Sequence, residues 1–311
     1  MTIQSFELLF FLALGGRMSK IPSIQPRKTS FDVSNVKPLW NGGDAVMTRF
    51  FDALSVNFPD GERFFIQSVR NYQDDISDPK LRQDIRDFIR QEAQHGIVHD
   101  KFNEIMEKQG VSVDKIVKNT QAYLGFFQKY MPKKHQLALT AALEHFTATL
   151  GEGILENEAV FKDADPIMRA LFMWHAIEEV EHKAVAFDVY EEAAGGGYVT
   201  RVVALLSATV MVHVLLSPVF WHMLKIDGSN RQPLKIARGL NRFYGRKGFL
   251  TRMLPTYLAW FKPGFHPWDT GIPKEVDLWL KEYNKQQDPL AASEAVLGRL
   301  NQDTLEQSHA A

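Results

Sequence analysis

The chain has 311 residues, 45% of them hydrophobic and 12% aromatic, which is enough for one large or two modest cores and too apolar for general disorder. Its 36 Lys and Arg balance 37 Asp and Glu, and no basic block of the kind that tracks a phosphate backbone stands out, so nucleic acid is not an expected partner. The lack of cysteine rules out disulfides, zinc–thiolate sites and iron–sulfur clusters, and it suits a reducing, cytoplasmic compartment.

The N-terminal run FELLFFLALGG (6–16) has no basic residue before it and is short for a membrane span, so it reads as a mobile tail or a misassigned start ahead of Met18. Residues 44–58 are rich in large apolar side chains. A second helical segment, 59–72, is expected after a Pro-Asp-Gly turn, with Phe58, Glu62, Phe65, Val69 and Tyr72 on one stripe. Asp78 as N-cap, Pro79 as first helical residue and Gly110 as stop bound the clearest helix. Along it Leu81, Ile85, Phe88, Glu92, His95, His99, Phe102 and Met106 fall on one face, so ionisable groups hold core positions. Residues 111–130 predict a further helix. Pro132 opens another to about 158 with Glu144 inward, and Asp165-Pro166 opens one that runs to Gly195 with His175, Glu178 and His182 on its stripe and Glu179 beside it.

Residues 202–224 carry no formal charge and are long enough to cross a bilayer. The competing expectation is a buried helix broken at Pro218. Either way the pattern predicts an all-α protein: a tail over 1–30, a helical metal-binding domain over 31–225, and a helical C-terminal extension over 226–311 packed on the same domain.

Helical residues three or four apart project from one side, so Glu92-x-x-His95 aims a carboxylate and an imidazole at a common point, and Glu179-x-x-His182 does the same on another helix. With single inward glutamates at Glu62 and Glu144, this is the pattern by which helical bundles hold two carboxylate-bridged metal ions. Four carboxylates and two neutral imidazoles nearly balance two divalent cations, which removes the cost of burying them. The donor set suits iron first, with manganese or zinc as alternatives. His99 and His175 can serve as extra ligands or as histidines that hydrogen-bond a ligand, His175 being the preferred extra ligand. Glu178 competes with Glu179 for the inward position; the matching spacing favours Glu179 and leaves Glu178 as the alternative. Glu152, two turns beyond Glu144, reads as a supporting group or a polar helix end, and Glu181 as solvated or salt-bridged. Tyr72, Tyr123 and Tyr130 read as packing residues, and His266 as a turn residue. No phosphate-binding glycine loop or serine-hydrolase elbow is present.

FPDGERFF around Glu62, QEAQHGIVHDKFN around Glu92 to His99, ALEHFTA around Glu144, WHAIEEVEHKAVAFDVY around His175 to His182, and FHPW near 265 resemble the bacterial family of predicted metal-dependent hydrolases over roughly 30–275. The order of the acidic and histidine residues is also similar to that of ferritin-like di-iron carboxylate proteins. That similarity implies a four-helix core with additional helices and Glu62, Glu92, His95, Glu144, Glu179 and His182 as ligands. From this the first expectation is an oxygen-activating di-iron oxidase or oxygenase acting on a small hydrophobic, lipid-derived substrate and served by an electron donor. The second is a dinuclear metal-dependent hydrolase, and the third a non-enzymatic metal-binding or membrane-associated protein that touches the membrane through 202–224.

Overall fold

The computed structural model describes residues 23–310 of the chain. Among them there is no strand, and the all-α architecture is the one expected. In chain order the helices are α1 (Ala45–Arg70), α2 (Pro79–Lys108), α3 (Val113–Tyr130), α4 (Lys133–Leu155), α5 (Glu158–Phe161), α6 (Pro166–His182), α7 (Val185–Glu192), α8 (Tyr198–Ile226), α9 (Pro233–Tyr244), α10 (Phe249–Ala259), α11 (Lys274–Gln286) and α12 (Pro289–Ala310). The run 6–16 lies outside the described residues.

Local chemistry sets the helix starts. Asp44 accepts from the amides of Val46 and Met47, Asp78 from that of Lys80 with Pro79 at the first helical position, and Asp165 from those of Ile167 and Met168 with Pro166 likewise placed. Three expected breaks differ: those at Pro59 and Pro218 are absent, and the one near Gly195 comes earlier. Pro59 does not separate two segments, because α1 runs through it. Proline removes one helical N–H and so frees the carbonyl four residues earlier, that of Ser55; the Asn103 amide donates to it at 3.2 Å from α2. The helix expected from 166 to 195 stops at His182 instead and resumes as α7. Pro218 likewise leaves α8 continuous.

α1 packs against α2, and α4 against α6. Along each of these helices the apolar residues divide between two cores, each large side chain buried there being worth about 1.5–3 kcal/mol. On α2, Leu81, Ile85 and Phe88 join one core while Val98, Phe102 and Met106 join the other. On α1, Val46 to Val56 and Phe64 to Val69 divide in the same way, and on α4 Leu137 to Leu143 and Leu150 to Leu155. α6 feeds one core and its continuation α7 the other. The turns left between them carry Glu62, Glu92 and His95, Glu144, and Glu179 and His182. The candidate site is therefore a polar layer between two hydrophobic cores.

The later helices pack on the same body: α8 on α1 and α4, α9 on α1, α10 on α4, and α12 on α6. Residues 23–44 lack regular helix and bury Arg27, Phe31 and Trp40. Part of the stretch read as a tail thus supports the site.

Candidate metal centre

All six residues expected as ligands are buried and adjacent. Donor atoms of Glu92, Glu144 and His182 lie within 4.8 Å of one another, as do those of Glu92, His95 and Glu179, and of Glu62, His95 and His175. His182 Nε2 stands 3.1 Å from Glu92, 3.2 Å from Glu144 and 3.6 Å from Glu179, yet it is aligned with none of these oxygens as a hydrogen bond. Both oxygens of Glu62, Glu92 and Glu144, one of Glu179, and His95 Nδ1 also find no hydrogen-bond partner. An unpaired buried polar group costs about 1–3 kcal/mol, so this concentration requires compensation, and cations fit the donor set. Gly96 makes room for one carboxylate: a Cβ there would stand 3.1 Å from Glu62 Oε2.

The surrounding groups orient the histidines. Arg27 donates to both oxygens of Glu181 at 2.9 and 2.7 Å, and Gln91 donates to the same carboxylate at 2.8 Å. That fixes the Gln91 amide with its oxygen toward His182 Nδ1, 3.0 Å away, so Nδ1 carries the proton and Nε2 presents its lone pair to the cluster. Glu178 does the same for His95. It accepts from His95 Nε2 at 3.1 Å, while its other oxygen accepts from Arg27 and Trp174, each at 3.0 Å, which leaves His95 Nδ1 turned inward. Glu178 therefore sits behind His95, and Glu179 faces the cluster.

His175 and His99 form a chain away from it. His175 Nε2 is 3.0 Å from Glu179 Oε1, its Nδ1 is 2.7 Å from His99 Nε2, and His99 Nδ1 is 2.9 Å from Ser55 Oγ. Both nitrogens of His99 are engaged, so it has no lone pair left for a metal. Glu152 belongs elsewhere, paired at 2.8 Å with Lys183. His266 caps the short turn at 267–270 and meets Asp188 at 2.8 Å.

Without a cation, protons collect in the layer. Burial, then the neighbouring Glu92 and Glu179, raises the Glu62 carboxyl well above the usual range. Burial and then Glu144 push Glu92 to about 8, and burial pushes Glu144 to about 7. Burial alone would lower His182, but Glu144 and Glu179 outweigh it and hold it well above an ordinary histidine. Metal ligands must be deprotonated, so metal uptake at pH 7 is expected to release more than one proton per chain. Calorimetry in buffers of different ionisation enthalpy measures this as a slope in apparent enthalpy; a flat line would count against it.

Arg27 and Gln91 carry no periodic signal that singles them out. Only the fold brings Arg27 to Glu178 and Glu181, 151 and 154 residues later, and it also stacks Arg27 on Trp279 and Tyr283 of α11 at 5.5 Å. Arg27→Met would leave two buried carboxylates without their cation, at a cost of about 3–5 kcal/mol in denaturant unfolding. A loss below about 1 kcal/mol, the value of an exposed pair, would mean that Arg27 is not holding them.

Residues 25–271 match the family described as predicted metal-dependent hydrolases. The chain belongs to that family. No curated protein and no solved structure matches it. The family corrects the first expectation, an oxygen-activating oxidase or oxygenase, in favour of hydrolysis. That expectation drew redox chemistry from ligand type, but carboxylate and imidazole donors serve Lewis-acid metals equally well.

Proposed function

We propose that this chain is a metal-dependent hydrolase whose centre holds two divalent cations, of zinc, manganese or iron, on Glu62, Glu92, His95, Glu144, Glu179 and His182. The observation that carries this reading is the set of buried carboxylate oxygens and inward imidazole nitrogens that converge between two apolar cores without hydrogen-bond partners. Divalent cations in such a site supply a Lewis acid and a water that ionises near neutral pH.

The remaining work falls to the chain itself. Gln91 and Glu178 fix the tautomers of His182 and His95. The two cores exclude bulk water. Glu179 Oε1 shares a proton with His175 Nε2, and the His175–His99–Ser55 chain offers that proton a path away from the reacting centre. Phe58 holds this path in place, its ring 4.9 Å from that of His99 and 4.7 Å from that of His175.

Elemental analysis of the purified protein and turnover of p-nitrophenyl esters and bis-p-nitrophenyl phosphate under argon test the proposal. Metal-dependent turnover of either class is expected, abolished by chelation and by Glu92→Gln. Metal-replete protein that hydrolyses neither class would overturn it.

A further inference from the structure

α8 spans 29 residues, with mean hydropathy 2.2 in its most apolar window, yet only 33% of that window is buried. One side packs on α1 and α4; the other exposes Val199, Val203, Leu206, Val210, Val214 and Trp221. A core helix of this composition would be mostly covered. A helix attached to a bundle along one side cannot be surrounded by lipid, but about 33 Å of exposed apolar stripe can lie in the plane of a membrane surface.

The neighbouring segment supplies the matching charge. Residues 225–252 contain eight Lys and Arg and a single acidic residue, Asp227, so basic content that is unremarkable over the whole chain is concentrated here. All eight are exposed, and α9 presents Leu234, Leu240 and Tyr244 among them. Asp227 is itself taken up by Arg49 at 2.8 Å.

Cavities lead inward from this face. One of about 330 Å³ opens between α8, α9 and α10, bordered by the exposed Trp221, Leu240 and Tyr244. It shares Phe146, Val212 and Leu216 with a second, of about 80 Å³, beside Gly61 and Phe65. The second shares Leu54, Phe58 and Thr147 with a third, of about 20 Å³, whose wall includes His175 and Glu179. The series is almost wholly apolar, and through these shared walls its members lie side by side between the basic-apolar face and the metal centre.

We propose that α8, α9 and α10 dock on an anionic lipid bilayer and that the series of cavities admits an acyl chain of a membrane amphiphile, the substrate class of the proposed hydrolase. The second half rests on the hydrolase reading; docking does not. Charge favours lipid over a second copy of the chain, since pairing two such faces brings like charge together, whereas each basic side chain near an anionic surface adds attraction.

Flotation of the full-length protein with phosphatidylcholine vesicles, with and without phosphatidylglycerol, tests the docking without any turnover. Binding is expected to need the anionic lipid, to fall with salt, and to weaken about tenfold or more in Lys235→Glu/Arg238→Glu and in Val203→Asp/Val210→Asp. Fluorescence of cis-parinaric acid tests the passage: saturable binding is expected, lost in Leu216→Trp. Failure to float, or a dimer that Val203→Asp/Val210→Asp dissociates, would overturn the docking. Normal flotation without fatty-acid binding would overturn the passage and leave the hydrolase reading to be judged by the p-nitrophenyl substrates.

Discussion

Metal-free Glu62→Leu protein is expected to be more stable than metal-free wild type by about 1–3 kcal/mol, and the order is expected to reverse when metal is supplied. Neither oxygen of Glu62 has a hydrogen-bond partner, and the side chain is buried next to Glu92 and Glu179. Leucine removes that penalty and keeps an apolar stem of similar size. Supplied metal stabilises the wild type by about 4 kcal/mol at a thousandfold excess over its dissociation constant, and a centre lacking one carboxylate gains less. The pH dependence follows from the direction of the shift. Folded Glu62 holds its proton above the pH at which the unfolded chain loses it, so its contribution favours the fold at low pH and is lost as pH rises through its folded pKa. The margin of the metal-free leucine variant should therefore widen above about pH 4.5. Denaturant titrations in chelator and in metal, at two pH values, check this. A variant less stable under both conditions would show that Glu62 supports the fold rather than serving a cation.

The part of the site that is legible in the sequence is the part that repeats along one helix. The Glu-x-x-His pairs and the single glutamates are each set by helical spacing, so residue numbers alone place them on a common face. Glu178 and Glu179 are neighbours about 100° apart on the helix, and spacing favours Glu179 only through its match to Glu92-x-x-His95, without excluding Glu178. What separates them is Arg27, in a stretch without regular helix and far away in the chain, which draws Glu178 outward while His175 meets Glu179. The same limit applies to Pro59. A Pro-Asp-Gly sequence is a local turn signal, and it is overridden by Asn103, which satisfies the Ser55 carbonyl from another helix. The reaction lies beyond the donor atoms altogether. Carboxylates and imidazoles specify that a metal can bind, and the same set accommodates redox-active and redox-inert ions.

Among residues outside the six-residue donor set, the largest kinetic effect is expected at His175. His175→Gln should lower kcat on an ester substrate by about 10²- to 10⁴-fold while metal content is unchanged. Glutamine can accept and donate hydrogen bonds at this position but cannot take a proton at one nitrogen and release it from the other. His99→Gln should act in the same direction, because His99 is the next member of the path and both of its nitrogens are committed, to His175 and to Ser55. If the two histidines work as one unit, the double variant should be little worse than either single one, whereas independent roles would multiply their losses. Metal content separates this reading from its rival. His175 also lies within 4.8 Å of donor atoms of Glu62 and His95. Were it a ligand, His175→Gln would lose metal in proportion to activity, His99→Gln would not, and the proton path would have to be abandoned.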